Sequence, residues 1–268
     1  MGYGKTGPGD MVGVAVDNPN LFKVLRSIVR ALRQTKRPNP SGDGVVDHSQ
    51  FTPILSTLAS GGLPVVADMA KDVEAYCSKL STVDPDSLSK KSSLAYWINL
   101  YNAGAVGLAI EAFRDGHSSV LRVPGGFSRP LVPVAGEILS LDAIEHGKIR
   151  RFGDPRIHGA LVCGSLSCPT LRAVPYDDEG LDEQLDDQMR VFLAGGGASA
   201  GSGDVIELSR ILLWYGADYV RPHRMPVFIP AGKRRVLEAV RQWLPEDLQS
   251  RTRPVFQDYE WGLGCSVR

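Results

Sequence analysis

Neither sign of charge is in excess in this 268-residue chain: 30 lysines and arginines stand against 30 aspartates and glutamates. A balanced chain argues against general electrostatic attraction to nucleic acid or to an anionic membrane, though a local patch remains compatible with it. Cysteine is scarce, with only Cys77, Cys163, Cys168 and Cys265. Four scattered thiols are too few for a small secreted disulfide scaffold. No uninterrupted apolar run approaches the roughly 18 residues needed to cross a bilayer, and no hydrophobic signal region opens the sequence. G-x-S-x-G, H-E-x-x-H and G-x-G-x-x-G are all missing, so the common serine hydrolase, zincin and dinucleotide signatures find no support. The early GYGKTG lacks the first glycine that a phosphate-binding loop would need.

What is present is the composition of an ordinary globular protein, 43% hydrophobic and 22% charged, long enough to bury a sizeable core. The expectation is a cytoplasmic protein with a loose tail over 1–20 and one domain over 21–268. No cofactor or metal is assigned. MGYGKT fits the M-G-x-x-x-[ST] pattern for acylation of Gly2. A single acyl chain holds a membrane only marginally, and neither a basic cluster nor a nearby cysteine reinforces it.

Periodicity predicts most of the helices. Leu21, Val24, Leu25, Ile28, Val29 and Leu32 recur at helical spacing, and a Pro/Gly-rich linker follows. VVDHSQFTPILSTLAS reads as a helix ended by Gly61 and Gly62, and LPVVADMAKDVEAYCSKLSTV as another, with Cys77 a small buried hydrophobe. Residues 94–113 are apolar nearly all round, the mark of a central helix enclosed by protein. After Gly116 the chain turns to short pieces punctuated by Gly and Pro: VLRVP, PLVPVAGEILSL with a hairpin turn at VAGE, and RIHGALVCG. A short helix capped near Ser140, an amphipathic helix over DEGLDEQLDDQMRVFLA, a flexible GGGASAGSG loop and a DVIEL strand follow. The remainder is a helix capped by Ser209, a last helix over KRRVLEAVRQWL and an extended PVFQDYEWGLG. This order implies an α+β fold, with a helical N-terminal layer on a small mixed or antiparallel sheet around a central apolar helix.

The chemistry concentrates in DPRIHGALVCGSLSCPTLRA, residues 154–173. Read as a buried strand, 157–163 sends His158 and Cys163 to opposite faces, so they form no local dyad. Cys168 follows a Gly164-Ser165-Leu166-Ser167 turn and can fold back beside either face. There it can serve as a thiolate nucleophile, with His158 or His146 as base and Glu145 or an aspartate as orienter. Backbone N–H groups near Gly164 are candidate oxyanion donors. Zinc on the two cysteines with His146 and His158, a loop-closing disulfide, and two inert core thiols remain alternatives. Asn99 and Asn102 share a helix face, where they either position substrate or tie down a neighbouring backbone. Arg172 either anchors an anion or forms a structural ion pair. His48, His117 and His223 read as surface residues.

YWINLYNA, LSLDAIEHGKIR, the 154–173 segment, LDDQMRVFL, ELSRILLWYGADY and DYEWGL occur together in this order. The ordered set resembles the domain-of-unknown-function family numbered five-four-seven, found in bacteria and at the C-terminus of plant ternary-complex-factor-like leucine-zipper proteins. The resemblance covers about 85–263. It implies that Trp97, Asn99, Tyr101, Asn102, Glu145, His158, Cys163, Cys168, Pro169 and Arg172 occupy family motif positions. No leucine-zipper run precedes them, so the plant partner role does not carry over. In architecture alone the order is similar to papain-like and transglutaminase-like thiol enzymes, but the central helix bears Asn99 and Asn102 and no cysteine. The expectation is a thiol-dependent hydrolase or acyltransferase acting on an amide or ester of a small molecule or peptide. Its catalytic residues would be Cys168, His158, Glu145 and Cys163, with Asn99, Asn102, Tyr101 and Arg172 binding substrate. The alternative is a non-catalytic module that binds a small molecule or peptide in the same pocket.

Overall fold

The computed structural model describes residues 21–268, with side chains from 25 onward. The loose tail and the acylation pattern at Gly2 therefore lie outside the described residues.

Three helices open the fold: α1 (Leu21–Gln34), α2 (Thr52–Val66) and α3 (Ala70–Ser81). The Gly61-Gly62 signal bends the second helix without ending it. Gly62 takes φ +63°, which a side chain resists, and helical turns resume beyond it. Taken as one run, Ser49–Ser81 is long and apolar enough to cross a membrane by length and composition. Yet the Gly62 bend splits it, and α2 and α3 both pack on the central helix α4 (Lys90–Arg114). Ser89 caps α4 by accepting from the Ser92 N–H. Between Ser92 and Ala112 only Gly107 and Glu111 escape full burial, as an apolar surface on all sides requires.

A two-stranded antiparallel hairpin follows, β1 (Val132–Val134) and β2 (Glu137–Leu139). Its turn is the Ala135-Gly136 pair, both at positive φ. Next come α5 (Leu141–Gly147), capped by Ser140, and the single turn α6 (Ile157–Ala160). Helix α7 (Leu181–Phe192) carries Asp182 and Glu183 in its first turn, where the helix dipole favours them. Then a three-stranded sheet forms in the order β3-β4-β5: β3 (Ala198–Ala200) antiparallel and β5 (Arg253–Phe256) parallel to β4 (Val205–Leu208). Between β4 and β5 lie α8 (Arg210–Trp214), capped by Ser209, α9 (Gly216–Val220) and α10 (Lys233–Val240). The architecture is α+β, a helical layer with two small sheets.

Apolar side chains form two clusters. One surrounds α4 and includes Phe51, Tyr76, Tyr96, Ile144 and Ile157. The other joins Met189 and Phe192 of α7 to Ile206, Leu237 and Trp243. The two lie close at α6, where a Cβ on Gly159 would meet the Met189 sulfur at 2.7 Å.

Four local expectations are corrected. Residues 157–163 do not form a strand: 157–160 make a helical turn, and 161–163 run extended without joining a sheet. Asn102 takes the Ala160 carbonyl and the Val162 N–H, occupying backbone groups that a ladder would have used. The expected flexible loop contains β3, because β4 supplies the partner that Ala198-Ser199-Ala200 cannot advertise by propensity. VLR of VLRVP winds into a 3-10 turn capped by Ser119. His48 is buried, its Nδ1 2.6 Å from the Tyr76 hydroxyl.

Candidate active site

The cysteine loop is built by the far end of the chain. Leu166 N–H donates to the Gly262 carbonyl at 2.9 Å, Gly264 N–H to Gly164, and Leu171 N–H to Ser266. These bonds lay residues 259–268 along 164–173. Gly164 turns at φ +78°, with Val120 and Ala109 side chains 3.1 and 3.3 Å from where a Cβ would stand. The turn therefore needs glycine both for its dihedral and for the space. It brings the sulfurs of Cys163 and Cys168 to 2.6 Å from each other.

Around Cys168 stand several donors. The Cys163 N–H points at its sulfur at 3.1 Å, and the Ser165 and Tyr259 hydroxyls each lie at 3.3 Å. Burial opposes ionisation of this thiol, but the Cys163 thiol, Ser165 and Tyr259 outweigh it and draw Cys168 down to about 6. Cys163 moves the other way, because its hydrogen bond to Cys168 and its burial both hold its proton on. Burial, helped by Glu74 beside Cys77 and by Cys168 beside Cys265, pushes both thiols up to about 12. Of the four thiols, only Cys168 is drawn below its ordinary value.

Cys163 and Cys168 open on a cleft of about 180 Å³, together with Tyr101, Glu145, His146, His158, Trp214, Tyr215, Tyr259 and Trp261. Tyr259 and Trp261 rings lie 4.4 Å apart and Trp214 packs against both, so one wall is aromatic. On the other side His158 stacks on Tyr215 at 4.1 Å. Its Nε2 lies 2.9 Å from Asp218, which also takes two bonds from Arg150 and one from the Val227 N–H. Asp218 and Arg150 are both buried. Burial works against the Asp218 charge, but His158, Arg150 and the Val227 N–H hold its carboxyl below the ordinary range. A carboxylate can only accept, so Nε2 of His158 carries the proton and Nδ1 is left as the acceptor.

Of the two orienting carboxylates expected for His158, Glu145 or an aspartate, the one bonded to it is Asp218; Glu145 is engaged elsewhere. Its two oxygens accept from Tyr215 at 2.8 Å and Tyr101 at 3.2 Å. Burial disfavours its charge, and His146, Tyr215, His158 and Arg150 together reverse that effect. Burial lowers the pKa of His146, against the opposing pull of Glu145 3.4 Å away. Among the described residues no group of three or more His, Cys, Asp or Glu side chains is arranged to hold a metal ion.

The structure therefore brings together Cys163, Cys168, His158, Glu145 and Tyr101, and leaves three expected residues out of the cleft. Asn99 exchanges two bonds with the Tyr176 backbone, at 2.7 and 3.0 Å, and Asn102 clasps 160–162 in the same manner. With both ends of each amide engaged, they brace loops. Arg172 pairs with Asp187 at 2.6 Å and lies over the Tyr176 ring. Sequence reasoning missed Ser165, Tyr215, Asp218, Tyr259 and Arg150. The signal for most of them lay in ELSRILLWYGADY and DYEWGL, motif segments in which no chemistry had been sought.

Fold and cleft together define an α+β protein with two thiols, a histidine–aspartate pair and an aromatic wall in one small cavity. Residues 85–193 match the family model described as "Protein of unknown function, DUF547", the family that the motifs resemble. No curated protein and no solved structure shows a match to the chain. Tyr215, Asp218 and Tyr259 lie beyond the matched segment, so the cleft is completed by residues outside it.

Proposed function

We propose that the protein is a thiol-dependent acyl-transfer enzyme, a hydrolase or acyltransferase for a small amide or ester, with Cys168 as nucleophile. The carrying observation is the set of donors aimed at the Cys168 sulfur from Cys163 N–H, Ser165 and Tyr259. An already ionised sulfur attacks a carbonyl carbon without a base hydrogen-bonded to it, and none is. The carbonyl bond opens to an oxyanion beside the Cys163 N–H, at 3.1 Å the donor nearest the sulfur, and the Tyr259 hydroxyl at 3.3 Å. The departing amine or alkoxide takes its proton from solvent. His158, fixed by Asp218, then accepts a proton at Nδ1 from the incoming water or acceptor alcohol, which releases the acyl group and frees the Cys168 thiolate. The aromatic wall favours an apolar or planar acyl portion, and the cavity volume limits its size.

The test uses the reduced full chain with p-nitrophenyl acetate. A burst of nitrophenolate and an acetyl group mapped to Cys168 are expected, with half-maximal acylation near pH 6. Cys168→Ser abolishes the burst, and His158→Gln slows turnover after it. Acylation that rises only near the ordinary thiol value of about 8.5, or that spreads evenly over all four cysteines, overturns the proposal in favour of a non-catalytic binding cleft.

A further inference from the structure

Cys163 has no part in that acyl-transfer scheme, yet its sulfur touches the nucleophile's. The two sit on either side of the Gly164 turn, in a loop tied to the C-terminal segment by several backbone bonds, so bridging them requires no movement of whole elements. Their environments also differ as an attacking and a resolving thiol require. Cys168 accepts from the Cys163 N–H and the Ser165 hydroxyl and lies within hydrogen-bond distance of Tyr259 and of the Cys163 thiol, whereas no backbone N–H points at the Cys163 sulfur among the described residues. Both line a cleft, and both are only half-buried. Neither Cys77 nor Cys265 hydrogen-bonds another thiol.

We infer that Cys163 and Cys168 form a dithiol centre that exchanges with low-molecular-weight disulfides and closes to an intramolecular disulfide. The inference rests on Cys168 being the reactive thiol, as in the reading above, but not on any acyl transfer. In the first step the Cys168 thiolate attacks one sulfur of the small disulfide. That S–S bond breaks, a mixed disulfide forms on Cys168, and the departing thiolate takes up a proton. In the second step the Cys163 thiol gives its proton to solvent and its sulfur attacks the Cys168 sulfur. The mixed disulfide breaks and a second small thiol leaves. Starting from the Cys168 thiolate, the protein pair loses two electrons and the Cys163 proton; the small disulfide gains the two electrons and, with a second proton from solvent, leaves as two thiols. Closure removes the nucleophile, so oxidation silences the acyl-transfer site and reduction restores it.

The experiment exposes the full reduced chain to hydroxyethyl disulfide, quenches with acid, alkylates with iodoacetamide and maps the peptides. The expected product is a Cys163–Cys168 bridge with Cys77 and Cys265 alkylated only after denaturation. Cys163→Ser should trap the hydroxyethyl adduct on Cys168, and Cys168→Ser should show no adduct on Cys163. A lasting adduct on Cys168 in the unsubstituted chain, or two free thiols after exposure, overturns the inference without any reliance on the variants. The p-nitrophenyl acetate burst separates the two readings. Bridge without burst retains the dithiol centre and removes the acyl-transfer enzyme, and burst without bridge does the reverse.

Discussion

At the scale of single residues, the cleft depends on groups whose charges are set by their neighbours. Asp218 is the clearest case. It is fully enclosed, and its stability as an anion comes from Arg150, His158 and one backbone N–H. Replacing it with alanine strands the Arg150 guanidinium in the interior, which costs about 3–5 kcal/mol in a buried pair. Urea denaturation of Asp218→Ala should show that loss. The double variant Arg150→Met, Asp218→Ala should recover part of it, since the stranded charge is gone. A loss below about 1 kcal/mol in the single variant would mean that the pair is not enclosed as described. Asp218 was not recognised in the sequence because an aspartate in an amphipathic GADYV helix reads as an exposed polar residue. Only its packing against α6 shows otherwise.

At the scale of elements, the decisive piece is the short stretch between His158 and Cys168. Sequence alternation treated it as a strand and separated His158 from Cys163 by faces. A helical turn followed by an extended segment puts both on one cleft instead. Asn102 is the reason the stretch holds that shape, through its bonds to Ala160 and Val162. Asn102→Leu keeps the volume but leaves two buried backbone groups without partners, at about 1–3 kcal/mol each. The midpoint in urea should fall accordingly, with a total loss of about 2–6 kcal/mol, and the acylation burst should weaken because the cleft loses its brace. An unchanged midpoint would show that the clasp is not made in solution. The long helix α4, by contrast, was fully legible, since an apolar surface on every side has no other stable placement.

At the scale of the whole molecule, the buried titratable groups set how the fold responds to acid. Burial pushes His48 down to about 4 from 6.5, so between those values the unfolded chain binds a proton that the folded chain refuses. Stability falls as pH drops through that window. Asp218, held below its ordinary 3.8, adds stability that is complete above that value and is lost as pH falls through its depressed folded value. Stability against pH should therefore decline in two stages on the acid side. His48→Gln should shrink the upper stage, to which the buried His146 also contributes, and leave the lower one, measured by urea midpoints from pH 7 to pH 3. An upper stage of undiminished size in that variant would show that His48 does not contribute to it.

The sequence by itself determined the helices, their serine caps, the hairpin turn, the α+β class and the family motifs, including the two cysteines and His158 that meet in the cleft. Each of these follows from local chemistry: periodic apolar faces, capping hydroxyls, glycine's freedom at positive φ, and the thiol's reactivity. Tertiary structure alone decided which carboxylate holds His158, which thiol the hydrogen-bond donors surround and which amides brace loops. Those outcomes depend on groups far apart in the chain meeting where water is excluded. Tyr259 lies 91 residues from Cys168 and Asp218 60 from His158, and no local pattern encodes either meeting.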